Sequence, residues 1–192
     1  EMSDEAGTLV CDEEEIMESK VVAGVAFSRD EAKLTLIGVD DRPGVAASIF
    51  TALSDAGVLV DMIVQNIAED ERTDMTFSCP TVEVKRAQHA LQAACVKGPK
   101  ARAPARLACE KGDLGYADLV VDDAVAKVSV VGIGMRSQSG VASKMFQVLS
   151  QEGINIKVIT TSEIKISVLI DRKYMELAVQ ALHDAFELER AE

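Results

Sequence analysis

The sequence predicts an α+β protein in which one small unit is used twice. The first observation is an internal repeat: residues 32–39 (AKLTLIGV) match residues 126–133 (AKVSVVGI), and residues 44–50 (GVAASIF) match residues 140–146 (GVASKMF). The second is that each copy follows a β-branched run with apolar residues at spacings of three and four, which predicts a strand and then a helix. The third is composition: 48% of the 192 residues are hydrophobic and 27% are charged, as in an ordinary globular protein.

Each copy predicts the order strand, helix, strand, strand, helix. In the first copy the predicted elements are a strand at 34–39, a helix at 45–56, strands at 58–65 and 74–78, and a helix at 87–94. In the second copy they are a strand at 128–133, a helix at 141–149, strands at 154–161 and 163–170, and a helix at 177–186. Gly57 and Gly153 follow the first helix of each copy, where a C-terminal cap needs a positive φ angle.

Two further segments, 21–27 and 117–121, also have the pattern of strands. Adding one of them to each copy completes the ferredoxin-like βαββαβ order. The predicted fold class is therefore α+β, with two units that each have an antiparallel four-stranded sheet and helices on one face. Because the other face of such a sheet needs cover, we expect it to associate with a second domain or a second chain.

Charge and cysteine content exclude several function classes. The net charge of −12 argues against nucleic acid or an anionic membrane surface as a main partner. No apolar run reaches the roughly 18 residues of a membrane span, and the acidic start of the sequence lacks the pattern of a signal peptide. The four cysteines include no C-x-x-C pair, so we expect reduced thiols, a cytoplasmic location and no metal site.

Known catalytic motifs are absent from the sequence. It contains neither the glycine-rich loops that bind phosphates nor the elbow that carries a nucleophilic serine. His89 and His183 lie on separate predicted helices, so we predict no catalytic residue. A small enzyme that uses Arg42 or Arg136 to clamp an anion stays open as an alternative.

The loops between the first strand and the first helix are the candidate binding sites. In the first copy, Asp41 and Gly44 lie at the start of a helix, whose free N–H groups suit a carboxylate. Gln65 and Asn66, at the end of the second strand, offer amide groups to an ammonium or a hydroxyl. Together these groups fit an amino acid. The structural alternative is that Asp41 caps the helix and Gly44 permits the turn.

Three stretches resemble the C-terminal regulatory region of bacterial aspartate kinase, which consists of tandem ACT domains: DRPGVA at 41–46, DMIVQN at 61–66 and SEIKISVLI at 162–170. The resemblance covers residues 20 to 188. It implies a first ACT unit at 32–122. Within this unit, the basic run at 96–115, which contains glycine and proline, predicts a flexible, solvated insert. The resemblance further implies that this unit is inserted into a second ACT unit formed by 20–31 plus 123–188, and that residues 1–19 are a leader or linker from a kinase domain.

The resemblance also implies a function. The chain would be an allosteric module that binds lysine and/or threonine and so controls aspartate kinase, the transferase that phosphorylates L-aspartate at the first step towards lysine, threonine and methionine. It would form a homodimer through its ACT units and act on a kinase catalytic domain or α subunit. It would hold no cofactor, since ATP and Mg²⁺ belong to the kinase domain. The chain would be either a separately produced β subunit or a cut regulatory fragment.

Effector contacts are implied by position in both copies. They are Asp41, Gly44, Val45, Ala46, Gln65 and Asn66 from the first copy, and Val141, Ala142, Asn155, Ile156, Ser162 and Glu163 from the second. In the family, the first ACT unit of one chain meets the second unit of another at the effector. The remaining alternative is an ACT-type sensor of another amino-acid enzyme or regulator.

Overall fold

The structure, a computed structural model, describes residues 21–67, 72–94, 115–133 and 139–188. Its strands are β1 (Gly24–Asp40), β2 (Ile63–Ile67), β3 (Arg72–Pro80), β4 (Asp118–Val131), β5 (Ile156–Thr161) and β6 (Lys165–Asp171). Its α-helices are α1 (Val45–Asp55), α2 (Val84–Ala93), α3 (Val141–Gln151) and α4 (Met175–Ala185). The predicted leader at 1–19, and the predicted insert at 96–115 except for its last residue, lie outside the described residues.

The strands form one antiparallel sheet with the order β2-β3-β1-β4-β6-β5. Two long strands, β1 and β4, occupy its centre and pair with each other along most of their length. We call the part made of β2, β3, residues 33–40 of β1 and residues 118–122 of β4 the first half of the sheet. The second half is β5, β6, residues 24–28 of β1 and residues 125–131 of β4.

This sheet differs from the prediction in one respect. The sequence predicts two separate four-stranded sheets, but the two halves share β1 and β4, so six strands suffice. Most of the predicted strand at 21–27 is the beginning of β1, which starts at Gly24 and whose Val25 pairs with Val130 in the second half. The predicted strand at 117–121 is the beginning of β4, where Val121 pairs with Leu34 in the first half. Each half thus contains four strands, as the βαββαβ order requires.

Each half of the sheet is covered by two helices on one face. In the first core, Leu34 and Phe77 of the sheet pack with Ile49 and Leu53 of α1 and Leu91 of α2, all of them fully buried. An equivalent second core joins β4 and β6 to α3 and α4, and its fully buried members include Val128, Val168, Met145, Leu149 and Leu182. Burying one such side chain contributes roughly 1.5–3 kcal/mol to stability. The buried helix residues are the apolar ones at spacings of three and four, so the two cores explain the helical periodicity in the sequence.

A third apolar cluster joins the two halves on the opposite face of the sheet. It contains Met62, Val125, Val158 and Leu169, with Val64 packed against them. The neighbours of Leu169 along β6 belong to the second core, and consecutive strand residues point to opposite faces. The edge strands β2 and β5 also contact each other. The sheet therefore curls until its two edges approach, which covers part of the face that the sequence left open.

The glycines that follow the first helix of each copy agree with the sequence prediction, but the start of β2 does not. Gly57 and Gly153 both have φ angles of 67°, as predicted for residues that follow a helix. The second strand of the first copy begins only at Ile63, five residues after the predicted start at Val58. Val58 is buried in the first core without being part of a strand, so its apolar character reflects burial and not pairing.

Candidate functional site

The loop between β1 and α1 ends at Gly44, which is the N-cap residue of α1 and has a φ angle of 94°. Glycine adopts this left-handed conformation freely, whereas any side chain is strained in it. A Cβ at Gly44 would meet no atom within 4 Å, so the space beside the start of the helix is open. Asp41 is exposed and is not the N-cap residue, so the alternative in which it caps α1 is wrong. Its carboxylate stays available at the helix N-terminus.

The first turn of α1 divides between core and surface. Val45 is buried in the first core, whereas Ala46 is exposed. The N–H group of Val45 donates to the carbonyl of Arg42 at 3.3 Å, and Arg42 lies 3.9 Å from the carboxylate of Asp40. Val45 therefore anchors the helix start, and a ligand at this end would meet backbone and Ala46.

The two amide residues of β2 lie on opposite faces of the sheet. Gln65 pairs with Met75, a buried member of the first core, so Gln65 lies on the helix side together with α1. Asn66 points the other way and lines a cleft against β5. A single ligand beside α1 is therefore placed to meet the side chain of Gln65 but not that of Asn66 from the same chain.

The cleft between β2 and β5 has a volume of about 270 Å³. It is lined by Val64, Asn66, Thr76, Ile156, Lys157, Val158 and Ile159. The hydroxyl groups of Thr76 and Thr35 lie 2.9 Å apart and bond to each other. The cleft is thus lined by four apolar residues together with Asn66, Thr76 and Lys157, and the hydroxyl group of Thr76 is already hydrogen-bonded.

Lys157 contributes a positive charge that is already neutralised. Its ammonium lies 2.6 Å from the carboxylates of both Asp122 and Asp171. Burial alone would lower the pKa of Lys157, but its hydrogen bonds to Asp122 and Asp171 outweigh burial and raise the pKa. Lys157 is therefore a charged structural group that joins β5 to β4 and β6.

The loop before α3 repeats the geometry of the first loop. Gly140 is the N-cap residue of α3 and has a φ angle of 103°. Val141 is buried in the second core, and Ala142 packs against it. Residues 134–138, which include Arg136, lie outside the described residues. The two copies therefore share the glycine start of the helix even where their loop sequences differ.

The hairpin between β5 and β6 carries Ser162 and Glu163, both of them exposed. The N–H group of Ser162 donates to the carbonyl of Lys165 at 2.7 Å, which closes the turn. The carbonyl of Ile164 accepts from the N–H group of Gly132 at 2.9 Å. The hairpin thus lies beside the end of β4, on the side of the loop that leads to α3.

The predicted contacts fall into three groups within one chain. Asp41, Gly44, Val45, Ala46 and Gln65 lie at one end of the β1–β4 pair, and Val141, Ala142, Ser162 and Glu163 lie at the other end. Asn66 and Ile156 meet in the cleft between β2 and β5, and the exposed Asn155 directly precedes β5. A single chain therefore brings together Asn66 and Ile156, but it does not bring the two loop groups to each other.

Several residues of the cleft were missed by sequence reasoning, although Asn66 and Ile156 were predicted as contacts. Thr76 and Lys157 line it without any motif that marks them, although Val64 and Asn66 share one face of β2 by simple alternation.

Among the described residues, no cluster of histidine, cysteine and acidic side chains has the arrangement of a metal site. Cys79 is a buried free thiol, and burial, followed by the charges of Glu83 and Glu31, raises its pKa to about 11.

Comparisons with known proteins match both copies. Residues 33–95 and residues 128–186 each match a family model described as an ACT domain. The chain is 44% identical to a subunit in the crystal structure of aspartokinase alpha and beta subunits, with a TM-score of 0.70. This match covers 86% of the present chain and 99% of that subunit. It is 37% identical to the ligand-free regulatory subunit of aspartate kinase from Thermus thermophilus, with a TM-score of 0.72, and covers 99% of that chain with 87% of its own. The chain belongs to the family of aspartate kinase regulatory subunits.

The chain spans less than half the length of the curated aspartate kinases that it matches. It is 50% identical over 184 residues to the aspartate kinase of Pseudomonas fluorescens, which is 95% of this chain but 41% of that protein. A more distant structure, Escherichia coli aspartokinase III in complex with lysine and aspartate, shares the fold at 19% identity with a TM-score of 0.60. None of the described helices is long and apolar enough to cross a membrane.

Proposed function

We propose that the chain is the module through which lysine and/or threonine exerts feedback control on aspartate kinase. The observation that carries the proposal is coverage: the chain aligns with 99% of a regulatory subunit but with only 41% of an aspartate kinase. The relatives described above are all aspartate kinases, which favours this function over a sensor for another enzyme. Residues 32–122 then form the first ACT unit, and residues 20–31 with 123–188 form the second.

The effector site takes groups from two chains in this proposal. The contacts around the first loop (Asp41, Gly44, Val45, Ala46 and Gln65) and those around the second loop and hairpin (Val141, Ala142, Ser162 and Glu163) lie at opposite ends of the β1–β4 pair. A second chain is therefore needed to bring the two sets together. Exposed apolar side chains on both edge strands and on the hairpin support such association: Ile63 is 49% exposed, Ile159 44% and Ile164 46%. We expect a homodimer in which each effector contacts both chains.

The chemistry of the first loop suits the common part of an amino acid. The start of α1 offers backbone N–H groups and a partial positive charge for a carboxylate. Gly44 keeps that space open, and the exposed Asp41 supplies a carboxylate for the ammonium. Gln65, on the same face of the sheet, offers an amide that hydrogen-bonds to the effector. Asn155, Ile156, Ser162 and Glu163 of the second copy complete the proposed contacts, with Val141 and Ala142 at the second loop. Asn66, on the other face of β2, is proposed as a contact of an effector held by the partner chain.

Inhibition follows from a difference in affinity between two states. An effector that binds one arrangement of the dimer more tightly shifts the population towards it, and the attached kinase domain or α subunit changes activity as a result. ATP and Mg²⁺ belong to that catalytic part, which transfers phosphate to L-aspartate in the cytoplasm. This chain contributes binding and coupling.

Calorimetric titration with lysine and with threonine tests the site directly. Asp41→Ala and Gln65→Ala are each expected to weaken binding at least about tenfold, since each removes a polar partner of the ligand. Asp184→Ala and Gln180→Ala remove the same side chains from the exposed surface of α4 and are expected to bind as the unaltered protein does. Unchanged affinity in both site variants would contradict the assignment.

A further inference from the structure

In the part of the chain that the structure describes, two continuous strands, β1 and β4, join the two halves of the sheet, and both are irregular at the junction. The register between β1 and β4 shifts between Ser28 and Glu31 and again between Glu31 and Lys33. Such bulges bend a strand and interrupt its ladder. The relative position of the halves therefore depends on contacts across the junction as well as on backbone pairing.

Lys127 makes a largely enclosed polar contact at this junction. It lies on the second-half part of β4, and its ammonium is 2.9 Å from the carboxylate of Glu31 and forms a second ion pair with Asp61. Only 19% of the Lys127 side chain and 9% of the Glu31 side chain are exposed. Burial alone would lower the pKa of Lys127, but the hydrogen bonds to Asp61 and Glu31 outweigh it and raise the pKa. The lysine is thus held charged between two carboxylates.

Asp61 is the residue that connects this contact to the proposed effector site. It lies two residues before β2 and four residues before Gln65. Its N–H group donates to the carbonyl of Ser78 in β3 at 3.1 Å, which fixes its backbone to the first half. The next residue, Met62, packs in the apolar cluster with Val158 of the second half. An ion pair and an apolar contact thus attach the start of β2 to the other half.

We propose that Lys127 is a positioning residue for effector binding: by holding Asp61, it ties the edge strand β2, which carries Gln65 and Asn66, to the second half of the sheet. Movement between the halves then displaces the effector contacts of β2, and occupancy of those contacts resists that movement. This inference rests on the proposed function for the identity of the contacts. The attachment of β2 to Lys127 is independent of it.

The test uses Asp61→Asn, because Lys127→Met would leave Glu31 buried without its partner and threaten folding. Asp61 is 45% exposed, so its loss is tolerable, and the pair between Lys127 and Glu31 persists. Asp61→Glu retains the charge as the conservative variant. Glu176→Gln is the matched control, since it breaks the exposed ion pair between Arg29 of β1 and Glu176 of α4, neither of which lies on β2.

Hydrogen exchange and calorimetry together decide the result. Asp61→Asn is expected to speed exchange across residues 61–67 about threefold, with β6 unchanged, and to weaken lysine or threonine binding by a similar factor. Asp61→Glu is expected to restore most of both, and Glu176→Gln to change neither. Unchanged exchange in Asp61→Asn would overturn the proposal, as would faster exchange with unaltered affinity. If the unaltered protein binds neither amino acid, the proposed function fails, and exchange across 61–67 alone decides whether Lys127 positions β2.

Discussion

At the scale of single residues, glycine at the start of a helix is the most informative signal in this sequence. Gly44 and Gly140 occupy equivalent positions in the two copies and have φ angles of 94° and 103°. A methyl group added at either position would meet no atom within 4 Å, so it is backbone conformation and not crowding that requires glycine. The repeat in the sequence therefore reports a repeated backbone turn that opens space at each helix N-terminus.

Gly44→Ala is expected to destabilise the fold by about 1–2 kcal/mol, because an L-residue is strained in the left-handed region. Thermal unfolding measures this, with an expected fall in Tm of roughly 2–8 °C. Gly24→Ala is the matched control: Gly24 lies in β1, also has no atom within 4 Å of a Cβ, and does not have a positive φ. Equal stability of the two variants would show that the Gly44 turn relaxes without cost.

Residue patterns predicted the first loop better than they predicted β2. Gly44 and Asp41 are local signals, and the structure keeps Asp41 exposed beside the helix start. Gln65 and Asn66 are adjacent in sequence, but strand alternation places them on opposite faces. The sequence suggests one shared site for them, and only the strand pairing reveals that they face different surroundings.

At the scale of elements, β1 is one continuous strand where the sequence predicts two. The polar run from Ser28 to Glu31 has the composition of a loop, so the sequence divides β1 into two strands. In the fold the run is a bulged part of one strand. Arg172, far along the chain, donates from Nε to the carbonyl of Val125 at 3.3 Å and from Nη2 to that of Glu31 at 3.3 Å. Contacts at such separations leave no mark in local sequence.

The ion pair between Lys157 and Asp122, which joins β5 to β4, makes the stability of the fold depend on pH. Burial tends to raise the pKa of Asp122, but its hydrogen bond from Lys157 and one from the N–H group of Ala124 prevail and lower it below the usual value of 3.8. The folded state then holds its proton more weakly than the unfolded state. Stability from Asp122 is therefore present above about pH 4 and is lost as the pH falls through the lowered pKa.

Asp122→Asn is accordingly expected to reduce the free energy of unfolding at pH 7, and the difference from the unaltered protein is expected to shrink towards pH 3. Urea unfolding at the two pH values measures both quantities. Asp184→Asn, on the exposed surface of α4, is the control and is expected to show no such dependence. A difference that is as large at pH 3 as at pH 7 would contradict the role given to the Lys157 ion pair.

At the scale of the whole molecule, two similar units share their central strands. The repeat, the element order and the extra strands were readable from sequence because they rest on periodicity within short segments. The single curled sheet and the cleft between β2 and β5 were not, because they arise from pairs such as Lys157 and Asp122 that are distant in the chain. In one chain, the predicted contacts of the first loop and those of the second loop lie at opposite ends of the β1–β4 pair. For this reason we expect the effector site to form in a dimer.

A thermal-shift screen against the twenty amino acids tests most directly whether this chain senses an amino acid. Lysine or threonine is expected to raise the Tm, by an amount that grows with concentration because ligand binding to the folded state adds to its stability. Sedimentation with and without the hit is expected to show a dimer that binds it. No shift with any of the twenty amino acids would contradict the account.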